Sequence, residues 1–252
     1  MINANLILIH GFWSSVDAWR KLERCINYDS DLRGVRVYPF GYESPKLRWP
    51  FSPTRIPRYD DIAQTLASEF AVRIPPGDVA VVTHSQGGLI LQRHLAWMLN
   101  QGRGRELARI RLIVMLACPN EGSEYLKSLR VAAGFGHHPQ ARELRTLNDD
   151  ATDARRSVQN NIVNASCQNS HECKIPIYVY AGSTDNVVGR ASAQSTFPNV
   201  GSLPGNHSSI LDPDAPGNIT FLTLKMHLLK VFADSTVPII VETARPAPDQ
   251  TP

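Results

Sequence analysis

Residues 79–88 read VAVVTHSQGG. Val79, Ala80, Val81 and Val82 suit a strand covered on both faces, as a parallel sheet requires. The run stops at a serine with two glycines close behind it. From Gln86 the apolar spacing becomes helical, through Leu89, Ile90, Leu91, Leu95, Met98 and Leu99, and closes near Gly102. A strand that breaks sharply into a helix exposes the side chain at the break, and Ser85 occupies it. So tight a turn strains its backbone and admits only small neighbours. Gly87 meets that need two residues later, whereas Thr83 stands where a glycine is usual two residues earlier. Taken alone, the pattern also fits a serine capping a helix, followed by a Gly-Gly packing contact.

Context separates the two readings. Near the N-terminus, Asn5–His10 is a short apolar run ended by Gly11-Phe12-Trp13. A glycine after a strand lets the chain turn so that the next N–H points at a reacting carbonyl oxygen. The expected donors are the amides of Phe12 and of Gln86, the residue after the serine. Toward the C-terminus, Lys174–Ala181 reads as another buried strand, followed by the loop Gly182-Ser-Thr-Asp185. A second turn-rich stretch, Leu203–Ile210, has His207 at its centre. Each of these residues singly suits a turn or a surface loop. Together they give the order serine, acid, histidine, each just past a strand, which is one of three known chain orders for a nucleophile triad.

On these motifs the chain resembles the α/β-hydrolases over nearly its whole length. It is most similar to the lipase-like branch that contains the GPI inositol-deacylases and the serine-active-site-containing proteins. The matching stretches are LILIHGFWSS, VVTHSQGGLI, LACPNEGSEY at Leu116–Tyr125, YAGSTDNVV and LPGNHSSI. Cys118 takes the position of a threonine usual in that branch, and Asn206 that of an aspartate often found before the histidine. The resemblance implies acyl-ester hydrolysis by Ser85, His207 and Asp185, with no cofactor and no metal. The substrate expected is a small-molecule or lipid ester. Glu121, after the fourth strand, is the alternative acid. A hydrolase-like interaction module and an acyltransferase using the same three residues are the competing functions.

The composition fits an enzyme with one large core: 252 residues, 42% hydrophobic, with a formal net charge of +3. Arginines crowd Arg103–Arg111, where a helix end is expected, so the dipole there accounts for them without a nucleic-acid partner. No apolar stretch approaches the roughly 18 to 20 residues that span a bilayer, although peripheral contact with a lipid surface remains compatible. Strand-like sequence begins at Asn5 with no basic leader, so a cytoplasmic location is the expectation for the sequence as given. Cys167, His171 and Cys173 lack a fourth zinc ligand, and neither zinc nor a disulfide is expected there.

Strands are expected near 5–10, 34–39, 78–84, 110–117, 174–181 and 199–203, and helices near 16–26, 60–73, 86–100 and 217–233. That alternation predicts an α/β fold, a mostly parallel sheet with helices on both faces. The resemblance reduces it to about six strands, because the superfamily's first two strands have no counterpart before His10. Residues 1–242 form one domain in this reading, with a cap-like insertion over 120–173 and a tail at 243–252 without apolar periodicity. Gly134 is a candidate cap hinge, and His137 and His138 are poor candidates for metal ligands. The proline-rich loop Gly41–Arg58 lies toward the sheet edge where ligands bind. Trp13, Tyr42, Trp49 and Phe51 are the candidate substrate-lining residues.

Overall fold

The computed structural model describes residues 2–11, 14–42, 59–120, 151–194, 197–214 and 218–233. Six strands pair side by side in parallel: β1 (Ala4–Ile9), β2 (Val35–Phe40), β3 (Val79–His84), β4 (Ile110–Leu116), β5 (Ile177–Gly182) and β6 (Asn199–Leu203). Their order is β2-β1-β3-β4-β5-β6. The central strands β1 and β3 are buried at every residue, so apolar side chains run along them without alternation. The edge strands β2 and β6 are partly exposed, and β2 carries Pro39, which an edge tolerates.

Helices cover both faces. Side chains of α2 (Tyr59–Val72) and α3 (Gly87–Asn100) pack on Ile7, Ile9, Val81, Ile113, Met115 and Val179. On the opposite face α1 (Arg20–Tyr28) contributes Leu22 and Ile26, packed with Leu6, Leu8, Val82 and Val114. The expected helix start at residue 16 is a 3-10 turn over Val16–Trp19, capped by Ser15, whose Oγ accepts from the Asp17 amide.

Among the described residues, two α-helical segments were not expected from the sequence. Residues 151–158 form α4, which runs on into a π turn at Gln159–Val163. Ala151, Ala154, Val158 and Ile162 are buried, and their spacing of three, four and four residues is helical. Ala151, Val158 and Ile162 join the core on the α2–α3 face. The stripe is easy to miss because half of it is alanine and charged residues surround it. The end of the expected insertion is also tied to the body of the fold: Cys173 N–H donates to the Asn161 carbonyl at 2.9 Å, and Gly104 N–H to the Ser170 carbonyl at 2.7 Å. Residues 121–150 of the insertion and the tail at 243–252 lie outside the described residues. The other segment is α5 (Arg190–Gln194), too short to show a period. The last helix, α6 (Ile219–Phe232), returns to the α1 face through Phe221, Leu224, Leu228 and Phe232.

This topology sets the position of the site. The chain leaves β1 toward β2 on one side and leaves β3 toward β4 on the other. Neighbouring strands whose connections diverge open a crevice at their C-terminal ends, where ligands bind in open α/β sheets. His10-Gly11 and Ser85 end those two strands.

Candidate active site

Ser85 follows β3 with φ at +52°, in the left-handed region that a residue with a side chain rarely adopts. The surroundings enforce that strain. A Cβ on Gly87 would press into the carbonyls of Ile9 and His10, and one on Gly11 would lie 2.7 Å from Ser85 Cβ. The turn is therefore wedged against the end of β1, with a glycine packed closely on each side of it. The Ser85 amide donates to the Leu116 carbonyl at 3.0 Å, tying the turn to β4 as well. Gln86 is the N-cap of α3, so the helix begins directly after the serine and its positive end faces the crevice.

The acid and histidine loops leave β5 and β6 side by side. Ser183 N–H donates to the Leu203 carbonyl at 2.8 Å, and Thr184 N–H to the Gly205 carbonyl at 3.1 Å. Gly205, at φ +113°, turns the second loop. Asn206 then holds it: its Oδ1 accepts from the Ser208 and Ser209 amides, while its own amide donates to Ser209 Oγ at 2.8 Å. This reciprocal cap needs one side-chain carbonyl oxygen, which Asn and Asp share, so the departure at 206 leaves the turn intact.

These loops bring three side chains together. Asp185 Oδ2 accepts from His207 Nδ1–H at 2.9 Å, and His207 Nε2 lies 2.9 Å from Ser85 Oγ. Because the carboxylate fixes the proton on Nδ1, Nε2 is left to accept from the serine hydroxyl. Asp185 Oδ1 accepts from the Val187 and Val188 amides at 2.8 and 2.9 Å. The Asp185 side chain is fully enclosed, which by itself raises a carboxyl. The bonds from His207 and the two amides outweigh burial and hold the group below the ordinary carboxylate value. His207 stays partly open to the crevice.

Other expected residues fall around this centre. Tyr42 stacks on His10 with ring centroids 4.3 Å apart and 1° between planes, and its hydroxyl donates to the His10 carbonyl at 2.9 Å. It thus braces the turn after β1. His10 itself donates from Nδ1 to the Gly11 carbonyl at 2.9 Å, and burial lowers its basicity. Phe12, Trp13, Trp49, Phe51, Glu121, Gly134, His137 and His138 lie outside the described residues. Sequence reasoning overlooked His84, whose Nε2 is 2.7 Å from the His207 carbonyl. Its signal was strand alternation, which sends residue 84 to the face opposite Thr83.

The arginine-rich segment is tied into the fold. Arg103 pairs with Glu106, and Arg109 donates to the carbonyls of Gly77 and Pro75. Among the described residues no three His, Cys, Asp or Glu side chains gather as a metal site, and the cysteines, Cys167 and Cys173 among them, are free thiols. No helix among them is long and apolar enough to cross a membrane.

Comparison with known proteins places this architecture. No curated protein matches the sequence. The phospholipase PlaB of Legionella pneumophila, solved with thio-NAD, superposes with a TM-score of 0.64 at 18% identity, covering 92% of this chain and 60% of its own. Mouse alpha/beta hydrolase domain-containing protein 10 gives 0.56 at 12% identity, with 90% of each chain covered. The RedJ thioesterase of Streptomyces coelicolor gives 0.53 at 16% identity, covering 88% of this chain and 85% of its own. At these identities the likeness is one of fold. Residues 6–215 match the profile of the alpha/beta hydrolase family, and with its six-stranded parallel sheet the chain belongs to that family.

Proposed function

We propose that this hydrolase cleaves acyl esters through Ser85, His207 and Asp185. One observation carries the reading: an unbroken hydrogen-bond chain from Ser85 Oγ through both imidazole nitrogens of His207 to a buried carboxylate. Ser85 Oγ attacks the acyl carbonyl as its proton passes to His207 Nε2. Asp185 holds Nδ1–H and stabilises the imidazolium that forms. The amides of Gln86 and Phe12 receive the oxyanion; losing one such donor typically costs about a hundred- to a thousandfold in rate. His207 then protonates the departing alkoxide, leaving an acyl-serine. Water, deprotonated by the same nitrogen, releases the acid and restores the serine.

The chemistry needs no cofactor. In this reading residues 1–242 act as one catalytic domain, the part of the 120–173 insertion before α4 contributes a cap while α4 itself packs in the core, and the aromatic residues Trp13, Tyr42, Trp49 and Phe51 border the acyl site. A small or lipid-derived ester taken up in the cytoplasm is the expected substrate. A fluorophosphonate probe should label the protein and turnover of short p-nitrophenyl esters should be measurable, both lost in Ser85→Ala. Labelling retained in that variant would move the nucleophile elsewhere. Rates measured from acetyl to palmitoyl esters, with and without lipid surfaces, would define the acyl pocket.

A further inference from the structure

We propose that His84 is a positioning residue, whose buried Nε2–H bond to the His207 carbonyl keeps the His207 ring in line with Ser85 and Asp185. The inference rests on the catalytic reading above and concerns an imidazole that the mechanism does not use.

His84 closes β3, and strand alternation sends its side chain to the face carrying Ala80 and Val82. The same face receives Ile210 and Leu211, which follow His207 in the chain. The His84 ring therefore lies beneath the loop that presents His207. It is enclosed, and its Nε2 is 2.7 Å from the His207 carbonyl oxygen. A carbonyl only accepts, so the proton sits on Nε2 and the neutral ring presents a bare Nδ1. That Nδ1 is buried without a partner. The ring centroids of His84 and His207 are 5.0 Å apart at 46°, with no bond between the two rings.

This geometry excludes a proton relay, because the bond from His84 ends on the main chain of residue 207. What it supplies is a fixed point. The His207 loop is otherwise anchored through neighbouring residues, by the Asn206 cap and by the Thr184–Gly205 bond. The only described bond to the main-chain oxygen of His207 comes from His84. Removing it frees a backbone that must hold two side-chain bonds of 2.9 Å at once. Misplacing a reacting group by about 1 Å costs on the order of a hundredfold in rate.

The test compares His84→Gln, His84→Asn and His84→Leu in the full chain. A glutamine amide can take the place of Nε2–H; an asparagine amide reaches only the place of Nδ1. With p-nitrophenyl acetate, kcat should fall on the order of 10- to 100-fold in the Asn and Leu variants. KM should stay within about twofold, and Gln should restore kcat to within about threefold of the parent. A second readout does not need turnover: the low-field proton resonance of His207 Nδ1–H on Asp185. It should persist in the parent and Gln proteins and broaden or vanish in Asn and Leu. A folded Asn variant with the parent's kcat and resonance overturns the proposal, as does a Gln variant as impaired as Leu. If the parent hydrolyses no ester, or Ser85→Ala hydrolyses as well as it does, the catalytic reading fails instead. The resonance then still decides whether His84 orders His207.

Discussion

Thr83 Oγ1 lies 3.3 Å from Cys118 Sγ, directly beneath the turn that carries Ser85. Both positions depart from the motifs the chain resembles, Thr83 standing for a glycine and Cys118 for a threonine, and they meet each other. A Cβ on Gly88 would lie 2.6 Å from the same sulfur, so the space is full. Burial pushes the Cys118 thiol up to about 12, which keeps it protonated and unreactive. Thr83→Gly alone should leave a gap, and Cys118→Thr alone should overfill the site against Gly88. Each should cost about 1–3 kcal/mol. Residues in contact couple by at least about 0.5 kcal/mol, so the double variant should be less damaged than the sum. Urea unfolding of the four proteins measures this, and strict additivity would show that the two substitutions do not compensate.

Gly87 and Gly11 flank the same turn with different consequences. A Cβ on Gly87 strikes the backbone of β1, which has no room to move. Gly87→Ala should therefore cost more than about 3 kcal/mol or prevent folding. A Cβ on Gly11 meets Ser85 Cβ at 2.7 Å and Oγ at 3.2 Å. Gly11→Ala should stay folded while fluorophosphonate labelling slows by about a hundredfold. Thermal melts and labelling rates separate the two outcomes.

In Asp185→Asn, the side-chain oxygen can still accept from Val187 and Val188, but its NH2 faces His207 Nδ1. That arrangement favours the wrong tautomer, with Nε2–H pointing at Ser85. Folding should be nearly unchanged while kcat falls by roughly 10⁴-fold. If Asp185→Asn keeps activity within about tenfold and Glu121→Gln abolishes it, the acid is Glu121.

Tyr42→Phe removes the bond to the His10 carbonyl but keeps the ring stack. A brace for the turn after β1 predicts a drop in kcat of about fivefold, equal for acetyl and longer esters, with KM unchanged. A KM that rises with acyl length would instead make Tyr42 a wall of the acyl site.

Acid should weaken the fold through two buried imidazoles. Burial lowers His84 from 6.5 to about 4 and His94 from 6.5 to about 4. His94 donates to the Ala63 carbonyl at 3.1 Å from inside α3. Between those limits the unfolded chain binds more protons than the native one, so stability is complete above pH 6.5 and declines as pH falls toward 4. Each imidazole contributes on the order of 3 kcal/mol across that window. Asp185, also lowered, adds to the loss at still lower pH. Chemical unfolding at a series of pH values should show the decline, with a shallower slope in His94→Gln. A slope identical to the parent's would mean that His94 is not buried in its neutral form.

The sequence alone determined the strands and the larger helices, because apolar periodicity and glycine turns are local and need no partner to be read. The six strands expected near 5–10 through 199–203 lie within a few residues of those observed. The same local logic placed Ser85, Asp185 and His207 just past strand ends. Where α4 stood was not legible, since its buried stripe is weakly apolar and is recognised only when the core it fills is present. Tertiary structure alone decided the contacts between distant segments. Thr83 meeting Cys118, Tyr42 bracing His10 and His84 reaching the His207 carbonyl each join residues 32 to 123 positions apart. Such pairs depend on which strands become neighbours, and strand order is set by the packing of the whole sheet rather than by any stretch of chain.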